Sequence, residues 1–214
     1  MTLHLNADGN WLELRRTAPL DPKGPALFLD RDGVVIEEVA FLADPRRVKL
    51  IAGAAATIIR ANRAGWPVVI VTNQSGIGRG VFTWDEFALV QAAGESALAR
   101  AGAVLDMVLA CGYHPTEAKG RYLAAHSWRK PGPGMILEAA KRLGVELARS
   151  WIVGDNVIDI QAGREAGLAG GLHVLTGNGP QHRDQALAAA TPAFRAIVVQ
   201  SIAEVPRHVP GLGD

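Results

Sequence analysis

The sequence predicts a three-layer α/β fold. Two observations point to it: six short apolar runs, each flanked by turn residues, and helix-like segments that fall between them. Strand and helix in alternation favour a Rossmann-like parallel sheet with helices on both faces, because each parallel connection has to cross the sheet. A third observation concerns the site. Polar residues directly follow several of the runs, and an open parallel sheet binds its ligands outside the carboxyl ends of its strands.

Residues 1–25 break only late, at Pro19, Pro22 and Pro25, and read as an irregular arm or an added edge strand around Trp11 to Leu14. They form an N-terminal extension, and 26–214 is expected to be a single domain. The first buried strand is 26–29 (ALFL), followed by a helix near 53–64. Then come 66–71 (WPVVIV), a helix at 83–101, and 104–110 (VLDMVLA). The stretch 111–130, with Gly112, Pro115 and Gly120 and no clean period, reads as a long loop. A helix at 132–143, the run 151–153 (WIV), a helix at 157–167 and the run 171–175 (GLHVL) follow. An Ala-rich helical stretch at 184–194 leads to the last run, 196–199 (AIVV).

Composition narrows the function classes. A chain of 214 residues buries roughly 70% of its unfolded surface, so it needs neither disulfides nor a structural metal to be stable. Basic and acidic side chains number 22 and 21, a balance that argues against nucleic acid or an anionic membrane as the main partner. The one cysteine, Cys111, cannot form an internal bridge, which fits a reducing compartment. No apolar run approaches the ~20 residues that span a bilayer, and the first residues lack the basic-then-apolar order of a secretory signal. The expectation is a cytoplasmic monomer. Gly76 to Gly80 lacks the G-x-G-x-x-G spacing of a dinucleotide site, and no G-x-x-x-x-G-K-[ST] phosphate loop is present.

Four strand ends carry the candidate chemistry: Asp30-Arg31-Asp32-Gly33, Thr72-Asn73-Gln74-Ser75, Arg129-Lys130-Pro131 and Gly154-Asp155-Asn156, with Asp159 beyond. Carboxylates gathered on one rim repel one another unless a cation sits among them. Oxygen ligands without histidine or thiolate favour Mg²⁺, which keeps waters and a substrate phosphate. Thr72 and Lys130 would then face that phosphate, because phosphoryl transfer asks mainly for in-line positioning and neutralised oxygen charge. Asp30 suits a nucleophile, since an ionised carboxylate needs no base to attack phosphorus. Asp32 suits the acid and base for leaving group and water. Asp155 completes the metal site. Asp159 either orients those ligands from behind or caps the helix that follows.

These four motifs, as FLDRDGV, VTNQSG, RKP and VGDNVID, match in order those of the haloacid dehalogenase superfamily of phosphohydrolases, which the chain resembles over roughly residues 26–176. The resemblance implies that superfamily's fold and an aspartyl-phosphate intermediate on Asp30. It also implies Mg²⁺ held by Asp30, the Asp32 carbonyl and Asp155, with Asn73, Ser75 and Arg129 on the substrate side. FLDRDGVV, VTNQSGIGRG and RKPGPGM lean, within it, towards the branch that acts on heptose bisphosphates and away from the histidinol-phosphate phosphatases. A catalytically weak, phosphate-binding regulator is the alternative of another class. That branch often carries a zinc loop of the form C-x-H, then C-x-C, before RKP; here Cys111 and Tyr113 are followed by His126 and Trp128. Cys111, His114 and His126 offer three ligands where structural zinc takes four, so bound zinc is not expected. Asn156, beside the metal ligands, stands where a basic residue is common.

Only 40 positions separate Asp32 from Thr72, which leaves no room for a large inserted cap domain. Closure and selectivity would fall to the loops 37–47 and 111–129. Arg129 suits a second anionic group through its planar fork, so the expected substrate is a small sugar phosphate, with a bisphosphate favoured. Arg46 and Arg47 read as an exposed surface pair, and His173 and Met107 as buried sheet residues without a catalytic task.

Overall fold

A computed structural model describes residues 4–16 and 23–213. Pro19 and Pro22 lie outside the described residues. Seven strands form one sheet: β1 (Trp11–Leu14), β2 (Leu27–Leu29), β3 (Val68–Asn73), β4 (Met107–Cys111), β5 (Trp151–Gly154), β6 (Gly170–Val174) and β7 (Arg195–Val199). Their order is β1-β4-β3-β2-β5-β6-β7, parallel throughout except for β1, which runs antiparallel along β4 with Trp11 opposite Ala110. The chain builds outward from β2 in one direction and, from β5, in the other. The β2/β5 boundary is therefore the switch point at which parallel α/β sheets open a crevice.

Both faces are buried, as the continuous apolar runs require. Successive strand residues alternate between two cores. Leu27, Leu29, Ile70, Val108 and Val153 pack on one side, with α1 (Ala54–Arg63) and α3 (Trp84–Arg100). Phe28, Val69, Val71, Met107, Leu109 and Ile152 pack on the other, with α4 (Gly134–Leu143), α5 (Val157–Glu165) and α6 (Gly179–Leu187). A capping box, Thr83 with Glu86, starts α3, an arrangement worth about 1 kcal/mol. No helix among the described residues is long and apolar enough to cross a membrane.

One local expectation needs correction. The helix expected at 184–194 is α6, which ends at Leu187, because Pro192 disfavours helical backbone at Thr191 and the chain must turn into β7. Ser75–Arg79 is a short helix, α2, closed by Gly80 at φ +72°. The long loop 111–130 holds a 3₁₀ turn at Gly120–Tyr122. Trp11, nearly fully buried, packs edge-on against Phe87 at 5.2 Å.

Candidate active site

Asp30 is the first residue past β2, and its N–H is bonded to the Val153 carbonyl of β5, which fixes it at the switch point. The chain then turns at Gly33, whose φ of +77° suits glycine and whose missing side chain leaves room for the Asp155 carboxylate. Asp155 follows β5. Its Oδ2 accepts the Asn178 N–H at 2.7 Å. Asp159, in the first turn of α5, has no exposure at all; Gly154 must be a glycine because a Cβ there would overlap the Asp159 carboxylate.

Lys130 joins these groups. Its Nζ lies 2.9 Å from Asp30 Oδ1 and 2.6 Å from Asp159 Oδ1, and donates to the Val71 carbonyl at 2.8 Å. Asn73 holds the lysine's backbone at both ends: Nδ2 donates to the Lys130 carbonyl and Oδ1 accepts the Lys130 N–H, each at 3.0 Å. Both polar ends of the Asn73 amide are therefore spent on positioning Lys130, although the residue also lines the cleft.

Asp32 is turned away from this cluster. Arg31 Nε and Nη2 reach both of its oxygens at 3.0–3.2 Å, and the buried guanidinium lies over the Phe87 ring at 4.9 Å. Gln74 Nε2 donates to Asp32 Oδ2 at 2.8 Å and to Thr72 Oγ1 at 2.9 Å. Gln74 thus sits between the candidate acid and the candidate phosphate ligand, and Arg31 pairs with the acid. Sequence reasoning gave neither a role. The only signal was their position inside two strand-end motifs, where polar side chains usually serve turns.

The electrostatics follow from burial and crowding. Burial pushes Asp30 up to about 8, with the charges of Asp159, Asp155 and Asp32 adding to it and Lys130 opposing. Asp155 rises to about 6 by burial and the same repulsion, opposed by the Asn178 N–H. Burial alone would depress Lys130, yet Asp159 and Asp30 together hold it above its ordinary value. Glu38, on the cleft wall, is lifted to about 7 by burial and by Asp32 and Asp155.

The cleft holds about 350 Å³ and is lined by Asp30, Asp32, Thr72, Asn73, Ser75, Lys130, Asp155 and Asn156, closed on one side by Glu38 to Leu42. Phe41, half exposed and at φ +50°, stands at its mouth. From 111–129, the other loop expected to close the site, no residue lines the cleft. Arg129 points elsewhere and donates from Nη1 to the Tyr113 carbonyl at 3.1 Å. Arg46 is exposed and bonded to Asp44. His173 is buried, 2.8 Å from the Gly179 carbonyl.

Two candidate metal centres can be tested against these residues. Asp30, Asp155 and Asp159 each present an oxygen within 4.8 Å of the others, and among the described residues no other group of three or more such ligands gathers this closely. Oxygen-only donors, with Asp30 and Asp155 raised in proton affinity by burial and neighbouring charge, fit a hard divalent cation. Asp159 belongs to this group as well as capping α5 through the Asn156 N–H, so both readings of it have a structural counterpart. Asn156 itself caps Ile158 and lies 3.1 Å from His182 Nε2. Zinc does not fit. Cys111 lies in the buried core with its thiol raised to about 11 by burial, and Nδ1 of His114 and of His126 is taken up by a neighbouring backbone N–H, with each Nε2 against a side chain.

A fold of this topology with carboxylates and a lysine meeting at its switch point defines a hydrolase of the haloacid dehalogenase type, and the HAD-hydrolase-like family model matches residues 127–205. A D-glycero-beta-D-manno-heptose-1,7-bisphosphate 7-phosphatase of Mesorhizobium japonicum is 47% identical over 78% of this chain and 77% of its own length. The same-named protein of Photorhabdus laumondii is 32% identical over 88% of this chain and 96% of its length. Among solved structures, a HAD-like phosphatase from Mesorhizobium loti superposes with a TM-score of 0.87 at 40% identity, covering 99% of this chain and 96% of that one. The D,D-heptose 1,7-bisphosphate phosphatase from B. bronchiseptica, complexed with magnesium and phosphate, gives 0.73 at 35% identity over 85% of this chain and 95% of that one. The chain belongs to the haloacid dehalogenase-like phosphatases, in the family of these heptose-bisphosphate phosphatases.

Proposed function

We propose that this phosphatase removes the 7-phosphate of D-glycero-D-manno-heptose 1,7-bisphosphate through a phosphoenzyme on Asp30. The observation that carries this reading is the meeting of Asp30 past β2, Asp155 past β5, Asp159 on α5 and Lys130 from the loop before α4, with Thr72 lining the same cleft. The names of the relatives supply the substrate.

In the first step an Asp30 carboxylate oxygen bonds to phosphorus while the bond to the sugar oxygen breaks, and Asp32 gives that oxygen a proton. In the second step Asp32 takes a proton from water, the water oxygen bonds to phosphorus, and the bond to Asp30 breaks to release phosphate. Lys130 and Thr72 neutralise and hold the transferring oxygens throughout. Asp32 has to exchange one of its bonds to Arg31 or Gln74 to do its work, and its link through Gln74 to Thr72 keeps it next to the reacting phosphate. Asp30, Asp155 and the Asp32 main-chain carbonyl would hold Mg²⁺, with Asp159 close behind. When bound, the ion supplies positive charge against the phosphate oxygens and keeps Asp30 deprotonated at neutral pH.

Phe41 and the loop 38–42 form the side of the cleft that a sugar would meet, and among the described residues no large cap stands between it and solvent. Phosphate release with Mg²⁺ from both anomers of the heptose bisphosphate, compared with histidinol phosphate, tests the proposal. Turnover of histidinol phosphate at the higher kcat/KM would reject it. Unchanged release by an Asp30→Asn variant would move the activity away from this site and favour a phosphate-binding role.

A further inference from the structure

Residues 7–10 are bonded to the loop between β4 and Lys130 at four points. Arg121 Nη2 donates to the Ala7 carbonyl at 2.9 Å, Tyr113 Oη to the Asp8 carbonyl at 3.0 Å, and Tyr122 Oη to the Gly9 carbonyl at 2.8 Å. In the fourth a side chain accepts: the buried Gly112 N–H donates to Asn10 Oδ1 at 3.0 Å, and Asn10 is fully buried. At Gly9, with φ +77°, a Cβ would press on the Arg121 guanidinium and the Tyr122 hydroxyl.

His126 carries this anchorage towards the site. Its ring stacks on Tyr113 at 4.4 Å, its Nδ1 accepts the Trp128 N–H at 3.0 Å, and its carbonyl accepts the Arg129 N–H at 3.0 Å. Its Nε2 lies 3.4 Å from Asn10 Nδ2 and 3.5 Å from Asp8 Oδ2. Four residues later the chain reaches Lys130. Cys111, His114 and His126 are not assembled as a metal site, yet the loop they span is tied down at both ends.

We propose that residues 7–10 are a metal-free buttress for the 112–128 loop, doing for it what bound zinc would otherwise do, and that Asn10 is a positioning residue for Lys130. The second half rests on the reading of Lys130 as the group that meets the phosphate. The geometry alone supports the first half. Leaving the buried Gly112 N–H without an acceptor penalises the closed loop locally, so the loop should open more often while the sheet core does not.

The test uses the full chain with Asn10→Ala and Asn10→Asp, the latter retaining an acceptor oxygen. In Asn10→Ala, amide hydrogen exchange over 112–128 should accelerate on the order of tenfold, with β2, β3 and β5 unchanged. The kcat for phosphate release should fall on the order of tenfold with KM within about twofold, and Asn10→Asp should recover most of both. Should Asn10→Ala fail to fold, Tyr113→Phe, which removes the bond to the Asp8 carbonyl, gives the same two readouts. Unchanged exchange over 112–128 overturns the buttress, and so does stoichiometric zinc in the purified protein or rescue of the variant by added Zn²⁺. Faster exchange with unaltered kcat overturns the positioning role. A wild-type chain that releases no phosphate defeats the functional reading instead, while the exchange data still decide the buttress.

Discussion

Replacing Lys130 with methionine removes the cation from a buried cluster and leaves its apolar stem in place. The ammonium, almost fully buried, has ion-pair distances of 2.9 Å to Asp30 and 2.6 Å to Asp159. Breaking a buried pair by removing one partner costs about 3–5 kcal/mol, because the other charge is left uncompensated. Here the cost depends on pH. Asp30 titrates near 8 even with the lysine present and higher without it, so below that value it can take up a proton and shed its part of the penalty. The destabilisation of Lys130→Met relative to wild type should therefore include a loss at Asp159 at both pH values and grow further above pH 8, by at most about 1.4 kcal/mol at pH 9, roughly 3–6 °C in Tm for a chain of this length. Phosphate release should fall by about 10²–10³, as for loss of one donor to a developing oxyanion. Metal-free thermal unfolding at the two pH values, with a phosphate-release assay in Mg²⁺, measures both. Equal destabilisation at pH 6 and pH 9 would refute the electrostatic argument, and retention of a tenth of the activity would refute the assignment of the lysine.

Gln74→Met should lower kcat by about tenfold with little change in KM, since it cuts the link between Asp32 and Thr72 that matters when the proton moves; a rise in KM alone would contradict this. His173 is held neutral by burial, so its folded pKa lies below the unfolded value of about 6.5. Below that pH the unfolded chain binds a proton that the folded chain refuses, and stability falls with pH by at most about 1.4 kcal/mol per unit. His173→Gln should show a shallower loss between pH 7 and pH 5 in urea unfolding, and an identical slope would rule this contribution out. Cys111, buried with its thiol raised to about 11, should react with a thiol reagent only after unfolding. Stoichiometric labelling of the native chain would show that β4 opens.

The parallel sheet could be read from the sequence because its strands are buried on both faces and so appear as uninterrupted apolar runs. The strand-end residues were visible for the same reason: Asp30, Thr72 and Asp155 each follow a run directly, and in the structure they line one cleft. What could not be read was how side chains divide among partners. The Arg129 guanidinium suits a phosphate chemically, yet a loop carbonyl occupies one of its nitrogens. Asn73 reads as a substrate contact, but its amide matches the Lys130 backbone. Both depend on contacts between segments far apart in the chain. Helix α6 escaped its true bounds because its sequence, GPQHRDQAL, has almost no apolar face and buries only Gly179 and Ala186. The bonds from residues 7–10 were hidden too, since three of their four acceptors are backbone carbonyls, which leave no trace in residue type.

The position of β1 bears on the solubility of the protein. Without it, β4 (MVLAC, all five residues buried, with neither charge nor proline) would be the open margin of the sheet, a ready template for another chain to add to. With it, the margin becomes a four-residue strand on which Glu13 pairs with Arg15. Those charges discourage edge-to-edge association, so shortened versions of the chain that begin after residue 16 should precipitate during refolding at concentrations the full chain tolerates.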